Sequence, residues 1–408
     1  MKWVIKFLVV VLCLCMAAPV LAADQGENVW AKYNMKLYGR VKVDYKYLTG
    51  RSASSTVATN MVDKTGDYEN DSTNFTARDT RFGFIASHEA GDWVGKGRFE
   101  MDMFGGATST SSSPRFRIGY VDLANKDWGT GFRAGKDWNA IMPMNASTID
   151  FGILLRAGNL WERPEQFTIR QKLADGSLEL LLSAYKFMSG TSDATDAGTG
   201  DETRMPKVGA RAAYTFELFG AKHLVAVDGF YQHDSDNTTK EDIDRWMVGG
   251  EFKFNLGPVL LKGEVWYGEA IDGEFGRPSG LATQSSVSGV DADGNPITIR
   301  SDETEEVEAW GGWIDVTYKV TPKWSVTAGV GIDDPEEDDY KVSGTRNAMG
   351  DTEFSENLQA YLNTWYSITP AIKVGAEWMY VDTERVDTTG SDYSNSYNQV
   401  LGSVFYNF

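Results

Sequence analysis

Cysteine is almost missing from this sequence. Its 408 residues hold two, Cys13 and Cys15, both near the amino terminus, so the rest of the chain can form no disulfide. Export without disulfides fits a bacterial envelope protein that does not depend on oxidative stapling. Histidine is nearly as scarce: His88, His223 and His233 are the only three, which leaves few candidates for acid–base or nucleophilic catalysis. No apolar run of helical span length follows residue 22, so any membrane-spanning structure in this chain must be a β-barrel. Positive charge is in deficit, with 39 lysines and arginines against 58 acids, and the net charge of −19 argues against a nucleic-acid partner. Prolines number only 11, and none falls inside the strands proposed below, as unbroken ladders require.

What is present begins with an export signal. Lys2 and Lys6 precede the apolar run Phe7 to Met16, and Val20-Leu21-Ala22 carries small residues where signal peptidase reads. Residues 1–22 are therefore expected to be a signal peptide and residues 23–408 one mature domain. Neither cysteine follows a cleavable lipobox, so a lipid anchor is not expected.

The mature chain reads as alternating strands, with 42 glycines for turns and 12% aromatics. The clearest case is the carboxyl end, where Val400, Gly402, Val404, Tyr406 and Phe408 share one face and Gln399, Ser403 and Asn407 share the other. A chain that ends inside a strand leaves an exposed edge unless something pairs with it. The segment 33–48 offers a partner, with Leu37, Val41, Val43, Tyr45 and Tyr47 opposite Lys36, Arg40, Lys42, Asp44 and Lys46. Pairing of the two, with Phe408 near Tyr33, would close a barrel.

Sixteen such stretches occur, at 33–48, 78–89, 94–104, 115–123, 129–136, 165–173, 177–187, 207–216, 223–232, 244–255, 259–268, 307–320, 323–332, 354–367, 372–381 and 396–408. The number is even and most lengths suit a tilted strand crossing a bilayer. Connections alternate between short turns, such as Ala174-Asp175-Gly176 and Leu256-Gly257-Pro258, and long acidic loops such as that holding Asp333 to Asp339. Aromatics gather near strand ends, at Tyr45, Tyr214, Tyr231, Tyr267, Tyr318, Tyr366 and Tyr406 among others, as in girdles at the headgroup level. The fold class expected is all-β, a sixteen-stranded antiparallel transmembrane barrel with short periplasmic turns and long extracellular loops.

Three neighbouring stretches carry a family resemblance. Arg81-Phe82-Gly83-Phe84 with Gly97-Arg98-Phe99-Glu100, Tyr120-Val121-Asp122-Leu123, and Trp128-Gly129-Thr130 with Ala134-Gly135-Lys136 resemble the early strands of the Gram-negative general porins, and Tyr38-Gly39-Arg40-Val41 and the terminal Phe408 match as well. The resemblance implies a trimer of sixteen-stranded barrels in the bacterial outer membrane, whose third loop bends into the lumen, and assembly machinery that reads Phe408. Here that loop is 137–164, and Ile149, Phe151, Ile153, Leu154 and Leu155 make it far more apolar than the other loops. Two departures stand out. The family's acidic, aromatic constriction motif is not recognisable in the loop, and the second loop, 105–114, is small and serine-rich where related porins often carry a latch to the next subunit.

With apolar side chains assigned outward, strands one to six point Arg40, Lys42, Arg81, Arg98, Arg117, Arg133 and Arg170 inward among eleven basic residues against four acids, whereas the remaining strands point in seven basic residues against six acids. In related porins such a basic ladder faces acids on the third loop, and Asp150, Glu162 and Glu165 are the candidates here. The expected function is a water-filled channel for passive diffusion of small hydrophilic solutes and ions, in contact with outer-membrane lipid and lipopolysaccharide, with no cofactor, metal or catalytic residue. The alternatives are an outer-membrane barrel enzyme and a surface adhesin or structural barrel.

Overall fold

The computed structural model describes residues 34–52, 61–62, 71–105, 112–186, 205–235, 242–271, 281–283, 287–290, 296–299, 304–336, 353–386 and 392–408. The expected signal peptide, Tyr33 and most of the acidic loop segments lie outside the described residues. Seventeen strands form one sheet: β1 (Lys36–Leu48), β2 (Ser72–Thr76), β3 (Arg81–Ala90), β4 (Trp93–Gly105), β5 (Ser113–Asn125), β6 (Thr130–Lys136), β7 (Glu165–Leu173), β8 (Leu178–Tyr185), β9 (Lys207–Leu218), β10 (Ala221–Ser235), β11 (Asp242–Leu256), β12 (Val259–Glu269), β13 (Glu308–Thr321), β14 (Trp324–Pro335), β15 (Glu353–Ser367), β16 (Ile372–Val386) and β17 (Asp392–Asn407). All the pairings are antiparallel, and β2 and β3 both pair with β1 in tandem, so the closed barrel has sixteen strand positions. Two short hairpins, Leu281–Thr283 with Thr304–Glu306 and Val287–Val290 with Pro296–Ile299, stand in the loop between β12 and β13.

The break at the second position is a difference from the uninterrupted strand expected over 78–89. Residues 77–80 leave the ladder, and the Arg78 guanidinium donates to the carbonyls of Met103 (3.3 Å) and Phe104 (3.2 Å) on β4. The released turn aims Asp79 into the lumen, where Arg40 and Arg81 bind it, and two cations on one carboxylate favour the kink over a straight strand.

Closure is by β1 with β17. Phe408 pairs with Gly39, six residues along from the Tyr33 neighbourhood expected: the Gly39 N–H donates to the Phe408 carbonyl at 3.0 Å and the Phe408 N–H returns to Gly39 at 3.1 Å. Glycine is required because a Cβ at 39 would lie 2.5 Å from the Phe408 ring and 2.6 Å from the Arg81 carbonyl.

The outer surface is the apolar face of nearly every strand, including Val43, Val121, Phe167, Leu182, Val227, Val265, Val316, Leu362 and Val404, all exposed on the outside of the barrel. In water such a continuous belt would drive aggregation, whereas a bilayer covers it. Tyr214, Tyr318, Trp324, Tyr366 and Tyr406 flank the belt at the short-turn end, and Tyr45, Tyr231, Tyr267 and Trp310 at the long-loop end. The buried apolar groups lie inside the barrel. One cluster joins Ala146, Leu154 and Ala157 of the third loop to Leu48, Trp313, Tyr361, Met379, Val381 and Tyr397 of the wall, and another joins Ile141, Met142 and Leu160 to Tyr185, Phe230, Met247 and Trp266. The middle of the inward-folded loop and its two ends thus each have a core.

Candidate functional site: the constricted lumen

The third loop, 137–164, leaves β6, crosses to the far wall and returns to β7. Its outgoing limb donates backbone N–H groups to a row of wall carboxylates: Met142 to Asp228 on β10 (3.0 Å), Met144 to Glu264 on β12 (2.9 Å), Ser147 to Asp315 on β13 (2.8 Å), and Ile149 and Asp150 to Glu377 on β16 (2.6 and 2.9 Å). A loop inside a barrel has no ladder of its own, and these acids supply the acceptors that its backbone lacks. The returning limb presents carbonyls to wall donors: Gln359 Nε2 to Leu155 (2.8 Å), Asn357 Nδ2 to Arg156, and Trp266 Nε1 to Gly158 (2.8 Å). A Cβ on Gly158, which sits at φ +82°, would collide with the carbonyls of Gly312 and Ile332, and one on Gly331 of the wall would collide with the Ala157 carbonyl. Val62 of the first loop adds to this packing: its N–H donates to Thr383 Oγ1 at 3.0 Å, Arg385 Nη2 donates to its carbonyl at 2.7 Å, and its side chain packs with Leu154 and Ala157.

With the loop pinned to β9–β17 and, at its middle, to β1, open space remains between it and the wall of β3–β7. A cavity of about 240 Å³ is lined by Arg40, Lys42, Arg81 and Arg117 of the wall and by Trp138, Thr148, Phe151, Trp161 and Arg163 of the loop. A second space of about 730 Å³, on the periplasmic side, is lined by Lys96, Arg98, Tyr120, Asp122, Arg133, Arg170 and Arg211, and Trp138 and Asn145 border both.

Seven of the basic residues marked from sequence meet here. Arg40 grips both oxygens of Asp79 at 2.5 Å, and Arg81 reaches the same carboxylate at 3.1 Å. Lys42, 3% exposed, donates to the Ile149 carbonyl at 2.6 Å, so this wall cation holds the loop directly. Arg117, 1% exposed at a bulge in β5, bridges Glu100 (2.8 Å) and Asp102 (3.1 Å). Arg98 binds Glu100 at 2.9 Å and the Tyr38 hydroxyl at 2.7 Å. Arg133 and Arg170 share Asp122, Arg170 bidentately at 2.7 Å, and Arg133 extends to Asp137 at 2.5 Å.

The three loop-side acids expected opposite them sit elsewhere. Asp150 is buried against Lys46 and Gln399 Nε2 (3.0 Å). Burial pushes its carboxyl up, but Lys46, the Gly152 N–H and Gln399 outweigh burial and hold it below the usual carboxylate range. Glu162 pairs at 2.7 Å with Lys207, which is itself buried. Glu165, the first residue of β7, follows the outward phase of Phe167 and Ile169 and meets Lys136 at 3.2 Å on the outside of the barrel. The period-two rule that set the wall applies to Glu165 too, and the other two acids are consumed by wall lysines.

Sequence reasoning missed Arg163. Its guanidinium lies 4.8 Å from the Trp138 ring and 4.9 Å from the Trp161 ring, and among the described residues no carboxylate pairs with it. Burial, reinforced by Arg117 and Arg115, lowers its pKa well below the guanidinium norm, a cost that an anion in the adjacent cavity would offset. The flanking tryptophans of the loop were the available signal, but loops carry no periodicity from which to place a side chain.

The same architecture occurs in solved structures. The outer membrane channel DcaP of Acinetobacter baumannii superposes with a TM-score of 0.74 at 20% identity, over 94% of this chain and 99% of that one. This chain has the fold of the Gram-negative outer-membrane porins. Salmonella typhi OmpF, in complex with daunomycin, gives a TM-score of 0.57 at 12% identity, covering 92% of this chain and 97% of that chain. Vibrio cholerae OmpT in its trimer form gives 0.53 at 14%, covering 92% and 99%. No family model matches the sequence, and no curated protein matches it. A closed barrel of this porin fold, apolar outside and polar inside, is that of a bacterial outer-membrane protein.

Proposed function

We propose that this porin-fold chain is a passive diffusion channel for small hydrophilic solutes and ions, and that its constriction favours anions. One observation carries the reading. The far-wall acids Asp228, Glu264, Asp315 and Glu377 are occupied by loop backbone, whereas Arg40, Arg81, Arg117 and Arg163 border open space in which, among the described residues, Asp79 and the buried Asp150 are the only acids. An excess of charge of one sign along a low-dielectric constriction selects counter-charged solutes. An enzyme would need a base beside a nucleophile or an activated water. His223 instead stacks between Phe216 and Phe254, and His233 meets Asp244 at the long-loop rim, both away from the lumen space. The apolar belt would contact outer-membrane lipid and lipopolysaccharide, and Phe408 in the closing seam would be read by the barrel-assembly machinery. A homotrimer is part of the reading, supported by the fold shared with a neighbour described as a trimer form.

The test is purified protein in planar bilayers. Stepwise ohmic currents with a reversal potential on the anion side of a salt gradient are expected. A silent protein that hydrolyses lipid or peptide would replace the channel by the enzyme, and a silent, inert one by the adhesin. A single mass equal to the monomer in light scattering across several mild detergents would remove the trimer.

A further inference from the structure

On the extracellular side of the cationic cavity the third loop touches the near wall through two aromatic rings. Phe104 stands on the inward face of β4, beyond Asp102, which pairs across the ladder with Arg81. Phe151 projects from the loop, and its ring stacks on that of Phe104 with centroids 4.0 Å apart and planes 23° from parallel. Cations frame the pair: Arg78 lies 4.9 Å and Arg115 5.3 Å from the Phe104 ring, and Arg115 also lies 5.9 Å from Phe151. Trp161 meets Phe151 edge-on at 6.4 Å.

This contact differs from the rest of the loop's packing. Ile141, Leu154 and Ala157 are sealed in the barrel interior, whereas Phe104 and Phe151 are both partly exposed and Phe151 also lines the cavity below. The loop's hydrogen bonds and ion pairs run to the far wall, to Lys42 and Lys46 on β1, to Tyr185 on β8 and Lys207 on β9, and at its start to Arg133 on β6; the stack reaches β4 across the open side, on the extracellular side of the Arg117–Trp138 contact. It therefore stands in the solute's path and is not needed to seat the loop.

We propose that the Phe104–Phe151 stack is a side-chain gate on the outer entrance of the channel, which sets its size limit; the proposal rests on the diffusion-channel reading. The backbone around Phe151 is fixed, because the Asp150 N–H is held by Glu377, the Gly152 N–H by Asp150 Oδ1 at 2.6 Å, and the Gly152 carbonyl by Trp161 Nε1 at 3.2 Å. Opening is then rotation of the Phe151 side chain and not movement of the loop. Rotamer changes of partly exposed side chains are far faster than a solute's passage, so the gate narrows the averaged pore and produces no long closures.

The experiment is single-channel recording and liposome swelling with Phe104→Ala, Phe151→Ala, the double variant and Phe151→Trp, each checked for heat-modifiable barrel mobility on gels. Either alanine is expected to raise conductance about two-fold and to raise sucrose entry relative to glucose. The double variant is expected to add little to either single one, because both remove the same bridge. Phe151→Trp, which keeps an aromatic and seats on the same anchors, is expected to lower conductance. Alanine variants that conduct and sieve like a conducting wild type, or single effects that simply multiply in the double variant, would overturn the gate alone. Silence of the wild type and of every folded variant would overturn the channel reading itself.

Discussion

The Glu377 carboxylate, 2% exposed, accepts the backbone N–H of Ile149 at 2.6 Å and that of Asp150 at 2.9 Å, one on each oxygen. A wall acid that looks from sequence like a lumen charge is in fact a bracket for the loop that narrows the lumen. Replacing it by leucine leaves two buried N–H groups unpaired, at about 1–3 kcal/mol each. Glu377→Leu is expected to give noisier, larger unitary currents and earlier protease cleavage in the loop, with Glu377→Gln intermediate. Currents and cleavage indistinguishable from wild type in the leucine variant would remove the bracket role.

The charged wall predicts a selectivity change. Replacing Arg40, Arg81 and Arg133 together by glutamate is expected to move the reversal potential in a salt gradient toward cations while leaving conductance within about two-fold, because the pore stays wide and only its field reverses. Lys126→Glu, at an exposed periplasmic turn beside Glu89, serves as the control and is expected to shift little. Equal shifts from the two sets would mean that β1–β7 do not form the selective wall.

Arg163 can be separated from that wall. Its guanidinium is held by the Trp138 and Trp161 rings and by no carboxylate among the described residues, so its charge is not neutralised locally. Arg163→Gln is expected to cut the anion-to-cation permeability ratio by about two-fold at low salt, and less at high salt where screening is stronger. A ratio independent of the substitution at both salt concentrations would place Arg163 outside the conduction path.

The closing seam makes an assembly prediction. Phe408 is tied to Gly39 by two backbone hydrogen bonds, and its ring lies where any side chain at 39 would project. Deleting Phe408, or replacing Gly39 by valine, is expected to lower the yield of folded, membrane-inserted protein in cells several-fold, as buried overpacking or a lost seam contact commonly does. Normal insertion of both variants would show that closure is set further along β1 and β17.

The barrel was legible before the structure. Strands such as β11, β16 and β17 face lipid on one side and lumen on the other, so their alternation fixes both the fold and which residues point inward, including Arg40, Arg81, Arg133 and Arg170. The same rule, applied to the first residue of the strand expected over 165–173, turns Glu165 outward.

What only the tertiary structure decided is who meets whom across the lumen. The sequence by itself determined the wall, because period two is a local property of each strand and a bilayer on one face enforces it. The course of the third loop, the seating of Asp150 on Lys46 and Glu162 on Lys207, the break that presents Asp79 to Arg40, and the Phe104–Phe151 contact all join residues distant in the chain. None has a period, since a loop's backbone finds its hydrogen-bond partners on whatever wall the closed barrel brings within reach, and that wall exists only once β1 has met β17.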